Sequence, residues 1–218
     1  MKIPKNITTA IFDLDGTLLD SMHVWDKVDS DFFEKRGMVS PEDYTTAICT
    51  MTIDEIAVYT KERFDFPQTP QELIDEWISM ADDEYRKNVP LKEGAREYLL
   101  YVKEKGLKMG VLTSLSTELA LPALKRCGVL ELFDVIVSSS ETGVAKNTVD
   151  AYKDVAEKLG ENTENCMFFD DTFPAVFTAK KAGMTVIGVF EETAPEMQED
   201  IKKEADYYIT RWQDAPKF

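Results

Sequence analysis

The sequence predicts an α/β protein, a doubly wound parallel sheet with a small all-helical segment inserted after its first strand. Three observations carry this expectation. Apolar strand-like runs alternate with amphipathic helical patterns from about residue 90 onward. Four of those helical patterns stop at a glycine, the residue that best tolerates a left-handed cap. A block over 21–88 is helical in pattern and holds no convincing strand. The expected domains are therefore 1–20 with 89–218 for the α/β core, and 21–88 for the helical insertion.

The elements follow in order. Ile7–Phe12 is a short β-branched and apolar run that empties into Asp13-Leu14-Asp15-Gly16-Thr17, a buried strand leading to a polar turn. In the insertion, Val24–Phe33, Tyr44–Thr50, Ile53–Phe64 and Leu73–Tyr85 space their apolar residues at three and four. Gly37, Ser40-Pro41, Pro67 and Pro70 separate them. The alternation then runs as helix Gly94–Lys105, strand Lys108–Leu112, helix Glu118–Cys127, strand Val135–Val137, helix Thr148–Leu159 and strand Cys166–Phe169. Helix Ala175–Ala182, strand Thr185–Val189, helix Pro195–Glu204 and strand Tyr207–Ile209 complete it.

Composition narrows the partners. The chain has 218 residues with 41 Asp+Glu against 25 Lys+Arg, a net charge of −16. Such acidity without a basic run argues against nucleic acid or an anionic membrane. No stretch approaches the ~18 apolar residues of a membrane span, and Met1–Asn6 lacks a signal peptide's apolar segment. Cys49, Cys127 and Cys166 have no metal or disulfide spacing and read as free thiols. A cytoplasmic address is expected; a monomer suffices, though the oligomeric state is left open. The insertion carries 16 acidic and 7 basic residues, so over half of the excess charge falls there.

In a doubly wound sheet, ligands bind beyond the carboxyl ends of the strands. The first strand ends in Asp13 and Asp15, the second in Thr113-Ser114, and the fourth in Asp170-Asp171; Lys146 lies in the loop after the third. Taken singly, each has an ordinary structural role as a cap, a turn residue or a surface charge. Together, four converging carboxylates would repel one another unless a cation sat among them. A hard divalent ion with oxygen ligands fits, and Mg²⁺ is the usual choice beside a phosphate. Thr113 and Lys146 supply donors suited to a phosphoryl group, and a carboxylate can attack phosphorus.

Asp13-Leu14-Asp15-Gly16-Thr17-Leu18-Leu19-Asp20-Ser21 resembles the signature of the haloacid dehalogenase-like (HAD) phosphatase superfamily. Thr113, Lys146, Asp170-Asp171-Thr172 and Ala179-Lys180-Lys181-Ala182-Gly183-Met184 follow in that family's order, so the resemblance covers essentially the whole chain. It is similar to the subgroup that includes phosphoglycolate phosphatase and β-phosphoglucomutase. The resemblance implies a Rossmann-like core with a helical cap, and Mg²⁺-dependent hydrolysis of a small phosphorylated metabolite. It also implies roles. Asp13 would carry the phosphoryl group, and Asp15 would act as acid and then base. Thr113, Ser114 and Lys146 would hold the phosphate. Asp13, the backbone carbonyl of Asp15 and Asp170 would ligate Mg²⁺, with Asp171 a ligand or a partner of one.

Two departures bear on local geometry. The family usually has Gly-Lys-Pro where this chain has Ala145-Lys146-Asn147, which predicts a less rigid lysine loop. It also usually has Gly where Ala175 stands. Asp15 favours phosphorus over carbon–halogen chemistry, because the dehalogenase branch lacks a carboxylate there. The mutase branch uses a cap histidine at the position of Trp25, and this chain's one histidine is His23. Two positions along a helix point roughly 200° apart, so His23 cannot stand in, and a phosphatase is expected ahead of a mutase. Trp25 is the candidate for substrate specificity in the cap. Phe32, Phe33, Trp77 and Tyr85 are expected in the cap's own core. A response-regulator receiver domain is far shorter and lacks the Asp-x-Asp pair on one strand end. A non-catalytic interaction protein on the same fold is disfavoured because every catalytic group is present. Leu19–Met22 and Asn88–Pro90 are the expected hinges between cap and core.

Overall fold

The computed structural model describes residues 3–41, 43–48, 51 and 53–217. Its six strands are β1 (Thr9–Phe12), β2 (Lys108–Thr113), β3 (Val135–Ser138), β4 (Cys166–Asp170), β5 (Thr185–Val189) and β6 (Tyr207–Ile209). They form one sheet in the order β3-β2-β1-β4-β5-β6, and every pairing is parallel. From β1 the chain steps outward to β2 and β3, then returns to β4 on the other side of β1 and continues to β5 and β6. The direction of winding therefore switches between β1 and β4, the place at which doubly wound sheets bind ligands.

Burial explains the sequence texture. All of β1 and β4 is buried, so neither strand alternates polar with apolar. One core cluster joins Ile11, Leu112, Val137 and Phe168 to Tyr152, Val155 and Val176. These last three belong to helices α8 (Val149–Lys158) and α9 (Phe173–Lys181), which precede and follow β4. An aromatic group forms around Phe12, stacked on Phe169 with centroids 4.8 Å apart and joined by Trp212 and Tyr98. Tyr98 lies on α5 (Ala95–Glu104). After the expected helices, Gly106, Gly128, Gly160 and Gly183 all take positive φ.

Two features differ from expectation. A four-residue helix follows β3 at Ser139–Thr142, α7, and is too short to show a period. The expected helix Pro195–Glu204 begins as a 3₁₀ turn, Pro195–Met197, and becomes α10 at Gln198–Glu204. The helix before β3, α6, spans Thr117–Arg126 and runs through Pro122.

The described chain divides into two compact units, Met1–Ser21 with Val89–Phe218, and Met22–Asn88. Considered by itself, the second contains α1 (Met22–Glu34), α2 (Tyr44–Ile48), α3 (Ile53–Phe64) and α4 (Pro70–Lys87). Cys49 and Thr50, the last residues expected in the second helix, lie outside the described residues. α4 opens with a capping box, in which Thr69 and Glu72 bond each other's backbone N–H groups. Phe32 and Phe33 meet Trp77, Tyr44 and Phe64 edge-on, and Tyr85 is fully buried. Trp25 is 38% exposed, which separates it from this aromatic core. Cys166 is a buried free thiol and Cys127 a half-buried one. No helix among the described residues is long and apolar enough to cross a membrane.

Candidate active site

The ladder between β1 and β4 continues one step past β1, where Asp13 N–H donates to the Phe169 carbonyl. Phe12 pairs with Phe169, so Asp13 and Asp170 emerge from neighbouring strands at the winding switch. Both are buried, as is Asp171. Carboxylate oxygens of these three residues lie within 4.8 Å of one another, the only such cluster among the described residues.

The turn after Asp13 is shaped by close packing. The Leu14 carbonyl accepts the N–H groups of Thr17, Leu18 and Leu19, and Gly16 N–H donates to the Leu19 carbonyl. Gly16 has φ +73°, and a Cβ there would lie 2.4 Å from Asp171 Oδ2. Its glycine is thus required by conformation and by space. The hydroxyl of buried Thr17 donates to Asp171 Oδ1 at 2.8 Å, tying the turn to the end of β4. Ser21 donates to Asp15 Oδ1 at 2.5 Å. In the sequence Ser21 stands only as the last residue of the Asp13–Ser21 motif and within the Leu19–Met22 connection, and neither place announces a bond to Asp15.

Lys146 meets the acidic cluster. Its Nζ donates to Asp13 Oδ1 at 2.5 Å and lies 2.7 Å from Asp170 Oδ2. The second contact is an ion pair without hydrogen-bond alignment, which leaves Asp170 Oδ2 without an aligned donor. Asp170 Oδ1 is taken by the N–H and hydroxyl of Thr172 at the start of α9. Thr148 donates to the Ala145 carbonyl from its N–H at 3.0 Å and its hydroxyl at 2.8 Å. Ala175 is accommodated inside α9, where its carbonyl accepts the Tyr152 hydroxyl.

Thr113 ends β2, two residues past Val111, the partner of Phe12, and is buried. Its hydroxyl oxygen accepts Leu115 N–H at 3.1 Å, so the hydroxyl proton can be offered outward. Ser114 next to it is exposed. Asp13, Asp15, Thr113, Ser114, Lys146, Asp170 and Asp171 thus all lie in the sheet-bearing unit, at or beyond the C-terminal ends of β1 to β4. Trp25 lies in the helical unit. A separate cavity of about 440 Å³ lies past β5 and β6, among Asp20, Lys92, Glu191 and Trp212, and none of the acidic cluster lines it.

The electrostatics are those of a site short of positive charge. Burial raises the Asp13 carboxyl well above its usual range; Lys146 opposes the shift while Asp170 and Asp171 add to it. Burial, then Asp170, push Asp171 up to about 7. Burial works against the Lys146 ammonium, but Asp13 and Asp170 outweigh it and hold Lys146 protonated, well above the ordinary lysine range. Three clustered carboxylates with one ammonium, and a buried Asp170 oxygen lacking an aligned donor, suit a hard divalent cation.

Comparison with known proteins agrees with this geometry. Residues 10–189 match the haloacid dehalogenase-like hydrolase family. The chain is 29% identical to hexitol phosphatase B of Escherichia coli (strain K12), with 92% of this chain and 90% of that protein covered. It is 31% identical to a phosphatase of Mycobacterium tuberculosis, covering 82% and 85% of the two chains. In structure it is similar to CbbY from Rhodobacter sphaeroides, solved in complex with phosphate, with TM-score 0.77, 19% identity and coverage of 95% and 96%. The chain belongs to the haloacid dehalogenase-like hydrolases and is a phosphatase of that family.

Proposed function

We propose that the protein hydrolyses a small phosphate monoester of the sugar or polyol class through a phosphoryl group carried on Asp13. The observation that carries the reading is Asp13 itself, a buried carboxylate beside Lys146, clustered with Asp170 and Asp171 and followed two residues later by a second carboxylate. The substrate class is taken from hexitol phosphatase B, a relative aligned over most of both chains.

The reaction has two balanced steps. An Asp13 carboxylate oxygen attacks phosphorus while the ester oxygen leaves and takes a proton from Asp15. Water then attacks the aspartyl phosphate, gives a proton to Asp15, and releases phosphate with Asp13 restored. Thr113 and Ser114 donate to the phosphoryl oxygens, and Lys146 turns from Asp13 toward the charge developing there. Ser21 orients the Asp15 carboxyl. Asp13, Asp170 and the Asp15 carbonyl would hold Mg²⁺, with Asp171 beside them. When bound, that ion supplies positive charge against the phosphoryl oxygens and the carboxylates.

His23 lies two positions from Trp25 on α1, so it does not occupy the place where the mutase branch carries its histidine, which favours hydrolysis over transfer back to a sugar. Trp25 is the proposed residue of the helical unit that selects among esters. Its replacement by Ala is expected to change KM differently for different esters while p-nitrophenyl phosphate turnover holds.

A panel of hexitol, hexose and p-nitrophenyl phosphates with Mg²⁺ tests the reading through phosphate release. Silence of the wild type across that panel would contradict it, and interconversion of hexose 1- and 6-phosphates primed by a bisphosphate would replace it with the mutase. Thr113→Val is expected to lower kcat/KM by about 10²-fold, the size of losing one preorganised donor. Removing metal with a chelator is expected to abolish turnover, and Mg²⁺ to restore it. Without metal, folding should weaken as pH rises from the ordinary carboxylate range to about 7, because the folded state holds a proton on Asp171 that the unfolded state has lost. Mg²⁺ should raise Tm most above that pH, where the proton no longer competes, and scanning calorimetry at several pH values checks the sign.

A further inference from the structure

α6 starts three residues after Ser114, and no side chain of its own caps it. Ser116 occupies the cap position in extended backbone (φ −63°, ψ 149°) but makes no side-chain capping bond. The cap comes from across the fold. Glu141 of α7 accepts Thr117 N–H at 2.6 Å and the Thr117 hydroxyl at 2.8 Å on Oε1, and the same hydroxyl at 3.0 Å on Oε2. Its charge also meets the positive end of α6.

This contact joins two segments that must reach one phosphoryl group. β2 and β3 are laddered as far as Thr113 opposite Ser138. Beyond that point one segment carries Ser114 into α6, and the other passes through α7 and Gly143, at φ +70°, to Lys146. A hydroxyl contact between Ser139 and Ser114 is long, at 3.4 Å. The bonds to Thr117 are shorter and charge-assisted. On its far side the lysine loop is closed by Thr148 on the Ala145 carbonyl. Glu141 and Thr148 therefore bracket the loop, and of these two Glu141 is the one bonded to the segment that leads on from Thr113 and Ser114.

We propose that Glu141 is a positioning residue that sets the spacing between the Thr113–Ser114 turn and the Lys146 loop, and so governs affinity for the phosphoryl group. It rests on the phosphatase reading above. Glu141 is exposed, and an exposed glutamate that did nothing but solvate would be nearly neutral on replacement.

The test titrates inorganic phosphate into the Mg²⁺-loaded protein by calorimetry and follows p-nitrophenyl phosphate kinetics and Tm in parallel. Glu141→Ala is expected to weaken phosphate binding and raise KM by about fivefold to tenfold, the scale of losing one cap. Glu141→Gln keeps an acceptor for Thr117 and should stay within about twofold of the wild type. In the double variant Ser116→Asp with Glu141→Ala, α6 regains a cap but not the bridge. Its Tm should recover while phosphate binding stays weak. Wild-type phosphate affinity in Glu141→Ala, or full recovery of affinity in the double variant, would overturn the proposal. Those results with an active wild type would remove Glu141's role alone; a wild type that neither binds phosphate nor turns over any ester would remove the phosphatase reading and this proposal together.

Discussion

Asp13→Asn is expected to lower turnover by at least about 10⁴-fold, as loss of a nucleophile does in an enzyme whose other groups remain in place. The substitution is nearly isosteric, so Lys146, Asp170 and Asp171 keep their positions while the attacking oxygen anion is gone. Stability should move the other way, or not at all. Burial and two neighbouring carboxylates hold the Asp13 carboxyl above its usual range, so the folded state disfavours its charge. A neutral amide removes that penalty along with the Lys146 attraction, and burial is the larger of the two. Without metal at neutral pH, Tm of Asp13→Asn should equal or exceed that of the wild type. A variant that was inactive because it was unfolded would show the reverse, and thermal melts beside the kinetics separate the two.

Gly16→Ala is expected to be as damaging to activity and, unlike Asp13→Asn, to the fold. Two costs add at this position. A non-glycine residue at φ +73° is strained by about 1–2 kcal/mol. The new Cβ would also sit 2.4 Å from Asp171 Oδ2, inside any real contact, so Asp171 or the turn must move. Since Asp171 is bonded to Thr17 in that same turn, movement carries into the Asp13–Asp15 segment. Gly37 supplies the control. Its φ is +67°, nearly the same, and nothing lies within 4 Å of a Cβ built there. Gly37→Ala should therefore show the backbone strain alone. The excess Tm loss of Gly16→Ala over Gly37→Ala, together with its loss of Mg²⁺ affinity, measures the crowding against Asp171.

The regular elements of this fold are readable because their causes are local. Ile7–Phe12 lacks alternation since both faces of β1 are covered, and the glycines after α5, α6, α8 and α9 mark left-handed caps. The acids Asp13, Asp170 and Asp171 were readable for a topological reason, in that each stands at the end of a strand next to the switch in winding. What stayed hidden depends on pairings across the chain. Thr17 with Asp171 spans 154 residues and Thr117 with Glu141 spans 24, and no period or spacing marks either pair. The lysine loop shows the same limit. The Thr148 hydroxyl closes the loop by a hydrogen bond that residue identity alone does not announce. α7 is four residues long, shorter than the pattern needed to reveal it.

The central claim is a phosphoryl group carried on Asp13. The direct measurement is rapid acid quench of the Mg²⁺-loaded protein with labelled p-nitrophenyl phosphate, followed by peptide mapping. The account predicts label on the peptide that contains Asp13, formed before steady state, discharged as phosphate on longer incubation, and absent from Asp13→Asn. Turnover by the wild type with no labelled peptide at any quench time, while Asp13→Asn stays active, would contradict it.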